Sequence, residues 1–476
     1  MVNLCYLEIS QQHSFSQQDF HNKADQIKTL VEKVKLQTSC DTYARRTFKV
    51  YPRDSVKDAE LDKFSCLPSH VIVRILSHLP IKDAVRTSVL SRKWSNKWYT
   101  LPNLVFDEHC VLPAASHDPS VLKDKFMRIV DHVLLLHRGP INKFEICLNY
   151  YNLVGASYVT YIDRWILHLI GRSIKELVLD ISYFFMKQHY KIPWRLFSCQ
   201  SLQHLELNFC CVQPPTMFEG FRNLKSLDLN KVKMTQDDFE NLISSSPLLE
   251  KLILNELDGF KQINIHGPNL KFFYFSGDFE DISFHNTFKI SKLIVCLYPG
   301  HIQDRLHECS SNLLQFFVHL PNIQSLEIRH FFLKYLATGV VPLNLPTPCI
   351  NLRSLCLRIN FNDWKEISAA LCLLKSSPNL QKLHIIAAAD LTSVLTLASC
   401  WENIFLEPTI PIHVRHVRIF GISGFKYELD FVRFLLLYSP MLEKMIVRSH
   451  VNVKPKLMAE LTQFKSKVIY EEYNFP

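Results

Sequence analysis

From residue 141 onward the chain repeats one short pattern, apolar-x-x-apolar-x-apolar. INKFEI starts at Ile141, IKELVL at Ile174, LQHLEL at Leu202, LKSLDL at Leu224 and LEKLIL at Leu249. LKFFYF at Leu270, ISKLIV at Ile290, IQSLEI at Ile323, LRSLCL at Leu352, LQKLHI at Leu380, VRHVRI at Val414 and LEKMIV at Leu442 complete twelve units. A strand points successive side chains to opposite faces, so each unit predicts a short strand. Its fourth and sixth positions turn inward, and its third, fifth and seventh turn outward. Starts fall 20 to 34 residues apart, a period of one supersecondary unit per repeat. Between strands, DDFENLISSSPLLEKL and EISAALCLLKSSPNLQKL predict helices. Ser-Ser-Pro closes both, at 245–247 and 376–378, because proline cannot continue the helical ladder.

A different periodicity governs the stretch from Cys66 to Glu108. Ile72, Ile75, Leu76 and Leu79 recur at i, i+3, i+4 and i+7, one apolar helical face. Ser69 is placed to cap that helix, and Leu79-Pro80 ends it. A second short helix fits Asp83 to Val89, with Ala84, Val85 and Ser88 on one side. Ser91 can cap a third, which carries Trp94 and Trp98 and ends before Pro102. Three such helices carry more apolar surface than so small a bundle hides. Part of it should pack on another surface, in cis or in trans.

That stretch resembles an F-box of the plant type: LP, then IL-x-x-LP-x-K-x-A-V-x-T-S-V-L-S-x-x-W, then LPNL-x-F-D, from Leu67 to Asp107. Ser69 and His70 stand where the family usually has an acidic residue. The repeats resemble a leucine-rich repeat array, with Cys210 and Asn360 at the Cys/Asn position that hydrogen-bonds loop backbone in that family. Val414 to Val447 resembles the FBD module, with a turn at Phe420-Gly421 and Gly424, then a helix from Glu428 to Tyr438. The resemblances imply an α/β fold: a three-helix F-box, then an irregular solenoid with parallel strands on a concave face and helices on the convex one. The expected domains are a mostly disordered extension over 1–62, the F-box over 63–108 and a linker over 109–122. Repeats follow over 123–400, and an FBD-like module over 401–476 caps the solenoid end. One amphipathic stretch, Ile27 to Leu36, interrupts the polar extension.

Composition narrows the function. Among 476 residues, 47% are hydrophobic and only 11 are glycine, which suits a large core and not a glycine-rich nucleotide site. The net charge of +9 is modest for this length and disfavours nucleic acid as partner. From Lys63 to Asn103, Lys63, Arg74, Lys82, Arg86, Arg92, Lys93 and Lys97 face a single acid, Asp83; such a module favours an acidic partner surface. The 14 cysteines are scattered without a C-x-x-C pair, predicting free buried thiols in a reducing compartment, nucleus or cytoplasm. No secretory leader or membrane span is evident, and no metal or cofactor motif occurs. Gly421-Ile422-Ser423-Gly424 is one residue short of a nucleophile elbow. His301 with His307 and His413 with His416 are dispersed pairs better suited to surface or packing. No enzymatic chemistry is predicted.

The outward positions of the strands are the better candidates. Early strands offer Glu176, Asp180, His204, Glu206, Asn208, Asp228 and Asn230; the middle offers Ile253, Phe272, Tyr274 and Ile294. Late strands offer Arg329, Arg358, Lys382, His384, His416, Arg418, Lys444 and Arg448. The groove should therefore run from acidic through apolar to basic, with Phe272, Tyr274, Ile294, Arg329, Arg358, Lys382 and Arg418 as target contacts. As the resemblance implies, the F-box docks a Skp-type adaptor, and through it a cullin and a RING subunit, while the repeats hold an unknown target protein. The implied adaptor contacts are Leu67, Pro68, Ile72, Ile75, Leu76, Leu79, Pro80, Leu90 and Trp94. A second reading stays open: a repeat scaffold for protein or nucleic acid without a ubiquitin-ligase role.

Overall fold

In a computed structural model the described residues are 67–89, 92–107, 110–111, 119–147, 157–181, 189–298, 313–388, 411–450 and 468–473. The extension over 1–62, the stretch Ile27–Leu36, Ser91, His301, His307 and most of the 109–122 linker lie outside them. The chain divides into two units, residues 1–112 with 129–140, and residues 113–128 with 141–476.

The second unit is built on the repeated pattern. Its strands are β2 (Lys143–Cys147), β3 (Glu176–Asp180), β4 (Tyr190–Lys191), β5 (His204–Asn208), β6 (Cys210–Cys211), β7 (Ser226–Asn230), β8 (Lys251–Asn255), β9 (Gln262–His266), β10 (Phe272–Gly277), β11 (Asp281–His285) and β12 (Lys292–Leu297). β13 (Ser325–His330), β14 (Ser354–Asn360), β15 (Lys382–Ala388), β16 (His416–Ile422), β17 (Lys444–His450) and β18 (Val468–Tyr473) follow. Thirteen of them form one parallel sheet, in the order β2-β3-β5-β7-β8-β10-β12-β13-β14-β15-β16-β17-β18. All twelve predicted units are strands of this sheet, each beginning two residues after the first residue of its unit. The thirteenth, β18, carries no such unit; VIYEEY alternates too weakly to be read from sequence.

The registers explain why the pattern works. Leu205 pairs Leu227, Leu227 pairs Leu252 and Leu252 pairs Phe273, so the inward positions align across the sheet. Leu205, Leu207, Leu227, Leu229, Leu252, Leu254, Phe273 and Phe275 are all buried. Burying one such side chain stabilises by about 1.5–3 kcal/mol, so a one-residue slip, which would turn a whole inward set outward, is strongly disfavoured.

Helices Gln236–Ser244 and Trp364–Lys375 fill the predicted inter-strand stretches. Proline alone does not close them. Ser246 Oγ donates to the Leu242 carbonyl at 2.8 Å and Ser377 Oγ to the Leu373 carbonyl at 2.6 Å, satisfying acceptors that helix ends leave open. Gly220 holds φ at +92°, and a Cβ there would collide with the Ser245 carbonyl oxygen. A small two-stranded parallel sheet, β9 with β11, and the short pair β4 with β6 complete the unit.

The first unit has three helical segments, with differences from the periodic reading. Helix Ser69–Leu76 is capped by Pro68, and Ser69 is its first residue and makes no side-chain cap. Proline presets the backbone dihedral a helix entry needs. The second helix starts earlier, at Ile81, ends at Arg86 and passes into a 3-10 turn over Thr87–Val89; Thr87 Oγ1 donates to the Ala84 carbonyl at 2.7 Å. The third segment is a single 3-10 turn, Lys97–Thr100, and not an α-helix. β1 (Asn103–Phe106) buries Leu104 and Phe106. Residues 129–140 fold with this unit: Arg138 N donates to the Tyr99 carbonyl at 2.8 Å, and buried His137 donates from Nε2 to the Leu101 carbonyl at 2.8 Å.

Candidate functional site

Two surfaces carry the sequence-predicted residues. In the first unit, Ile72, Ile75, Leu76 and Trp94 are at most 1% exposed. The helix Ser69–Leu76 packs on the turn Lys97–Thr100, and Trp94 and Trp98 are buried with it. These four side chains shape the bundle from inside. Leu67 and Leu79 are half-buried, and Pro68 and Pro80 are exposed, so those four line the accessible rim. Leu90 lies outside the described residues. Arg74, Arg86, Arg92 and Lys93 are exposed, and Asp83 meets Arg86 at 3.7 Å.

In the second unit, the outward positions form rows across the sheet. Along the seventh position of the units run Asp180, Asn208, Asn230 and Asn255. Asn208 Nδ2 donates to Asp180 Oδ1 at 2.6 Å, and Asn255 Nδ2 donates to Asn230 Oδ1 at 2.6 Å. Sequence reasoning placed three of these four outward but missed Asn255 and the ladder. Its signal was present, since asparagine occupies the same position in three successive units.

The early strands are largely self-satisfied elsewhere too. Lys143 Nζ lies 2.7 Å from Glu145 and His204 Nε2 lies 3.6 Å from Glu206. Glu206 and Asp228 are register partners. Burial, and then the Glu206 carboxylate, push Asp228 up to about 6.

The middle is apolar as expected. Ile253, Tyr274 and Ile294 are consecutive register partners and half-buried, and Lys292 Nζ sits 5.5 Å above the Phe272 ring. Ser276 Oγ donates to Tyr298 Oη at 3.0 Å, and the Tyr298 ring lies 5.0 Å from that of His330.

Arg329 differs from the other late cations. Its Nη2 donates to Glu327 Oε2 at 2.6 Å on the same strand, so this member of the basic set is neutralised. Arg358 stacks over Phe331 at 5.8 Å and Arg448 over Phe420 at 5.3 Å. Lys382, Arg418 and Lys444 are exposed and form no ion pair with any described residue. Glu327 and Phe331 were not singled out by sequence reasoning, and Phe420-Gly421, expected as a turn, lies within β16, where the register shifts between Phe420 and Ile422.

The residues considered for chemistry are otherwise employed. Buried Cys210 donates from Sγ to the Asn208 carbonyl at 3.4 Å, and Asn360 Oδ1 accepts from Asn362 N at 3.0 Å, the loop-backbone roles expected of that position. Burial pushes the Cys296, Cys349, Cys356 and Cys372 thiols each up to about 11, leaving little thiolate for nucleophilic work. All nine described cysteines are free. Ser423 sits in a turn where its amide donates to Glu428 Oε2 at 2.9 Å, and Phe425 N donates to the same oxygen at 3.0 Å. Glu366 is its counterpart in the helix Trp364–Lys375, accepting from Asn360 N at 2.9 Å, with burial raising it to about 8. His413 and His416 are exposed, and His416 lies 3.6 Å from Glu443. Among the described residues no cluster of three or more His, Cys, Asp or Glu could hold a metal, and no helix is long and apolar enough to cross a membrane.

Comparison with known proteins covers both units of the chain. Residues 64–106 match the F-box domain, and residues 162–385 match the family described as "FBD-associated F-box protein At5g56370, LRR repeats". The chain is 38% identical over 401 residues to the F-box/FBD/LRR-repeat protein At1g13570 of Arabidopsis thaliana, spanning 83% of this chain and 93% of that protein. It is 31% identical over 219 residues to the F-box/FBD/LRR-repeat protein At5g56420, covering 44% and 48% of the two chains. To the F-box/LRR-repeat protein At3g58940 it is 25% identical over 426 residues, covering 82% and 66%. Both are also from Arabidopsis thaliana. With an F-box at one end, stacked leucine-rich strands behind it and this likeness across most of its length, the chain belongs to the F-box/FBD/LRR-repeat family.

Proposed function

We propose that this protein is the target-recognition subunit of a Skp–cullin–F-box ubiquitin ligase. F-box domains generally bind Skp-type adaptors; here Leu67, Pro68, Leu79 and Pro80 form the docking rim, over the core of Ile72, Ile75, Leu76 and Trp94, with Leu90 in the same set. The adaptor ties the chain to a cullin and RING subunit. The open sheet face, with Phe272, Tyr274, Ile294, Arg358, Lys382 and Arg418, holds a target protein, and Arg329 contributes as half of its pair with Glu327. The working division is 63–108 for the F-box, 123–400 for the repeats and 401–476 for the FBD-like module, in the nucleus or cytoplasm.

The observation that carries this reading is one chain joining an F-box to a sheet face on which Lys382, Arg418 and Lys444 are exposed and form no ion pair with any described residue. The chain itself makes and breaks no bond. Its contribution is positioning, since holding a lysine of the target near a loaded ubiquitin raises the effective concentration of the reacting pair. Replacing Leu67 and Pro68 by alanine should abolish co-purification with a Skp-type adaptor while circular dichroism and thermal melting of the repeat region stay unchanged. Undiminished adaptor recovery would overturn the assignment of those two residues, whereas absence of a stoichiometric adaptor from pull-downs of the unaltered chain would favour the scaffold reading, in which the F-box unit needs no partner.

A further inference from the structure

Four Ser/Thr-Pro dipeptides occur in the sequence: Ser246-Pro247, Thr347-Pro348, Ser377-Pro378 and Ser439-Pro440. The three that begin with serine lie at the ends of the helices Gln236–Ser244, Trp364–Lys375 and Lys426–Tyr438. There the fold withdraws the hydroxyls from solvent. Ser246, Ser377 and Ser439 are at most 3% exposed, and Ser246 and Ser377 donate to the Leu242 and Leu373 carbonyls. Thr347 stands apart. It is exposed, as are Pro346 and Pro348 on either side, and its hydroxyl makes no hydrogen bond to a described residue.

The backbone around Thr347 is preset. Proline fixes its own φ and pushes the preceding residue out of the helical region, so Leu345, Pro346, Thr347 and Pro348 are all biased to extended conformations. Leu345 and Cys349, two residues to either side of Thr347, are each 5% exposed. Leu345 N donates to Ser376 Oγ at 2.8 Å, and Cys349 N donates to the Ser376 carbonyl at 2.8 Å. Thr347 is therefore the crest of a short arch pinned at both feet. Between the feet the two prolines have no N–H to satisfy. Upstream, Gly339 to Asn344 make no hydrogen bond to a described residue, so the chain can yield on that side.

We infer that Thr347, exposed at the crest of this arch and followed by Pro348, is the phosphorylation site of a proline-directed protein kinase. A kinase takes its substrate into the cleft as an extended segment, the conformation that Pro346 and Pro348 impose in advance. Thr347 Oγ1 attacks the γ-phosphorus of a nucleoside triphosphate held by the kinase. The new O–P bond forms as the bond from the γ-phosphorus to the β,γ-bridging oxygen breaks. The hydroxyl proton passes to a carboxylate of the kinase, and the nucleoside diphosphate leaves. No charged residue lies between Lys334 and Arg353, and Val340, Leu343 and Ile350 are exposed there. A phosphate adds about 1.5 to 2 negative charges, so modification turns a neutral, partly apolar stretch anionic. Neither adaptor nor target is needed for this chemistry.

The test incubates the full folded chain with labelled nucleoside triphosphate and a proline-directed kinase, chosen because it labels synthetic peptides spanning all four dipeptides. Mass mapping should find phosphate at Thr347 of the folded chain and at none of Ser246, Ser377 and Ser439. Thr347→Ala should abolish the label, and Thr347→Ser should keep it. Pro348→Ala should lower the initial rate at least about tenfold. A folded chain left unlabelled at Thr347, while the matching peptide is labelled, overturns the assignment, because the arch is then closed to the kinase. Label at the three serines of the folded chain equal to that at Thr347 overturns selection by burial. An unchanged rate in Pro348→Ala overturns proline direction.

Discussion

Strands β5 to β8 and β14 to β17 bury the same alternate positions, yet their outward side chains behave in opposite ways. In the early strands, Asn208 is tied to Asp180 and Asn255 to Asn230, and His204 stands beside Glu206. In the late strands, Lys382, Arg418 and Lys444 pair with no described residue. Both regions bury apolar side chains at their inward positions, so the difference lies in the outward rows. In one region polar groups hold neighbouring strands together, and in the other Lys382, Arg418 and Lys444 make no ion pair with a described residue. A polar side chain on a sheet is thus a poor guide to function until its lateral neighbours are known.

The comparison can be broken by mutation, and the largest effect is expected in the early ladder. Asn255→Leu removes the donor to Asn230 Oδ1 and should cost about 1–3 kcal/mol, the usual penalty for a partly buried acceptor left unsatisfied. Urea denaturation would measure it, and an unchanged midpoint would place the ladder among the decorative contacts. A smaller effect is expected at Asp228. Its folded value of about 6 lies above the ordinary 3.8, so the folded state holds the extra proton and stability falls as pH rises from about 4 to about 6. Asp228→Asn should flatten that part of the stability profile and raise stability at pH 7. The smallest is expected at the basic end, where Lys382→Gln or Arg418→Gln should change stability by no more than about 0.5 kcal/mol in either direction. A loss of 2 kcal/mol or more would show hidden structural work there and weaken the case for a free binding surface.

Much of this was legible before any coordinates. The apolar-x-x-apolar-x-apolar unit located every strand of the main sheet that carries it, because inward burial and outward solvation impose a period of two that few alternatives satisfy. The gradient from acidic to basic followed from the same period. Pairing was not legible. That asparagines link successive strands depends on register and rotamer, and that Arg329 is closed by Glu327, two residues away on the same strand, depends on rotamer. In the first unit the period marked Ile72, Ile75 and Leu76 as apolar but could not say which side they served. The tryptophan turn that covers them is a tertiary fact. Glu366 and Glu428 were missed for a related reason. Each stands at the third position of its helix and reaches back to loop amides, a role that any surface glutamate on a helix could share by sequence alone.

Gly220 and Ser245 sit at corresponding places in adjacent repeats, four residues ahead of Leu224 and of Leu249. Bare backbone meets bare backbone there, while the strands of the same two repeats are held by their ladder. The pitch of the array is therefore fixed twice, once by hydrogen bonds and once by contact without a side chain between. A single methyl at residue 220 would act as a shim on one side only. It would fan the two repeats apart about the ladder and change the distance between the acidic and basic ends of a face it never touches. Variation at such a point would change the spacing of the outward rows without altering one outward residue.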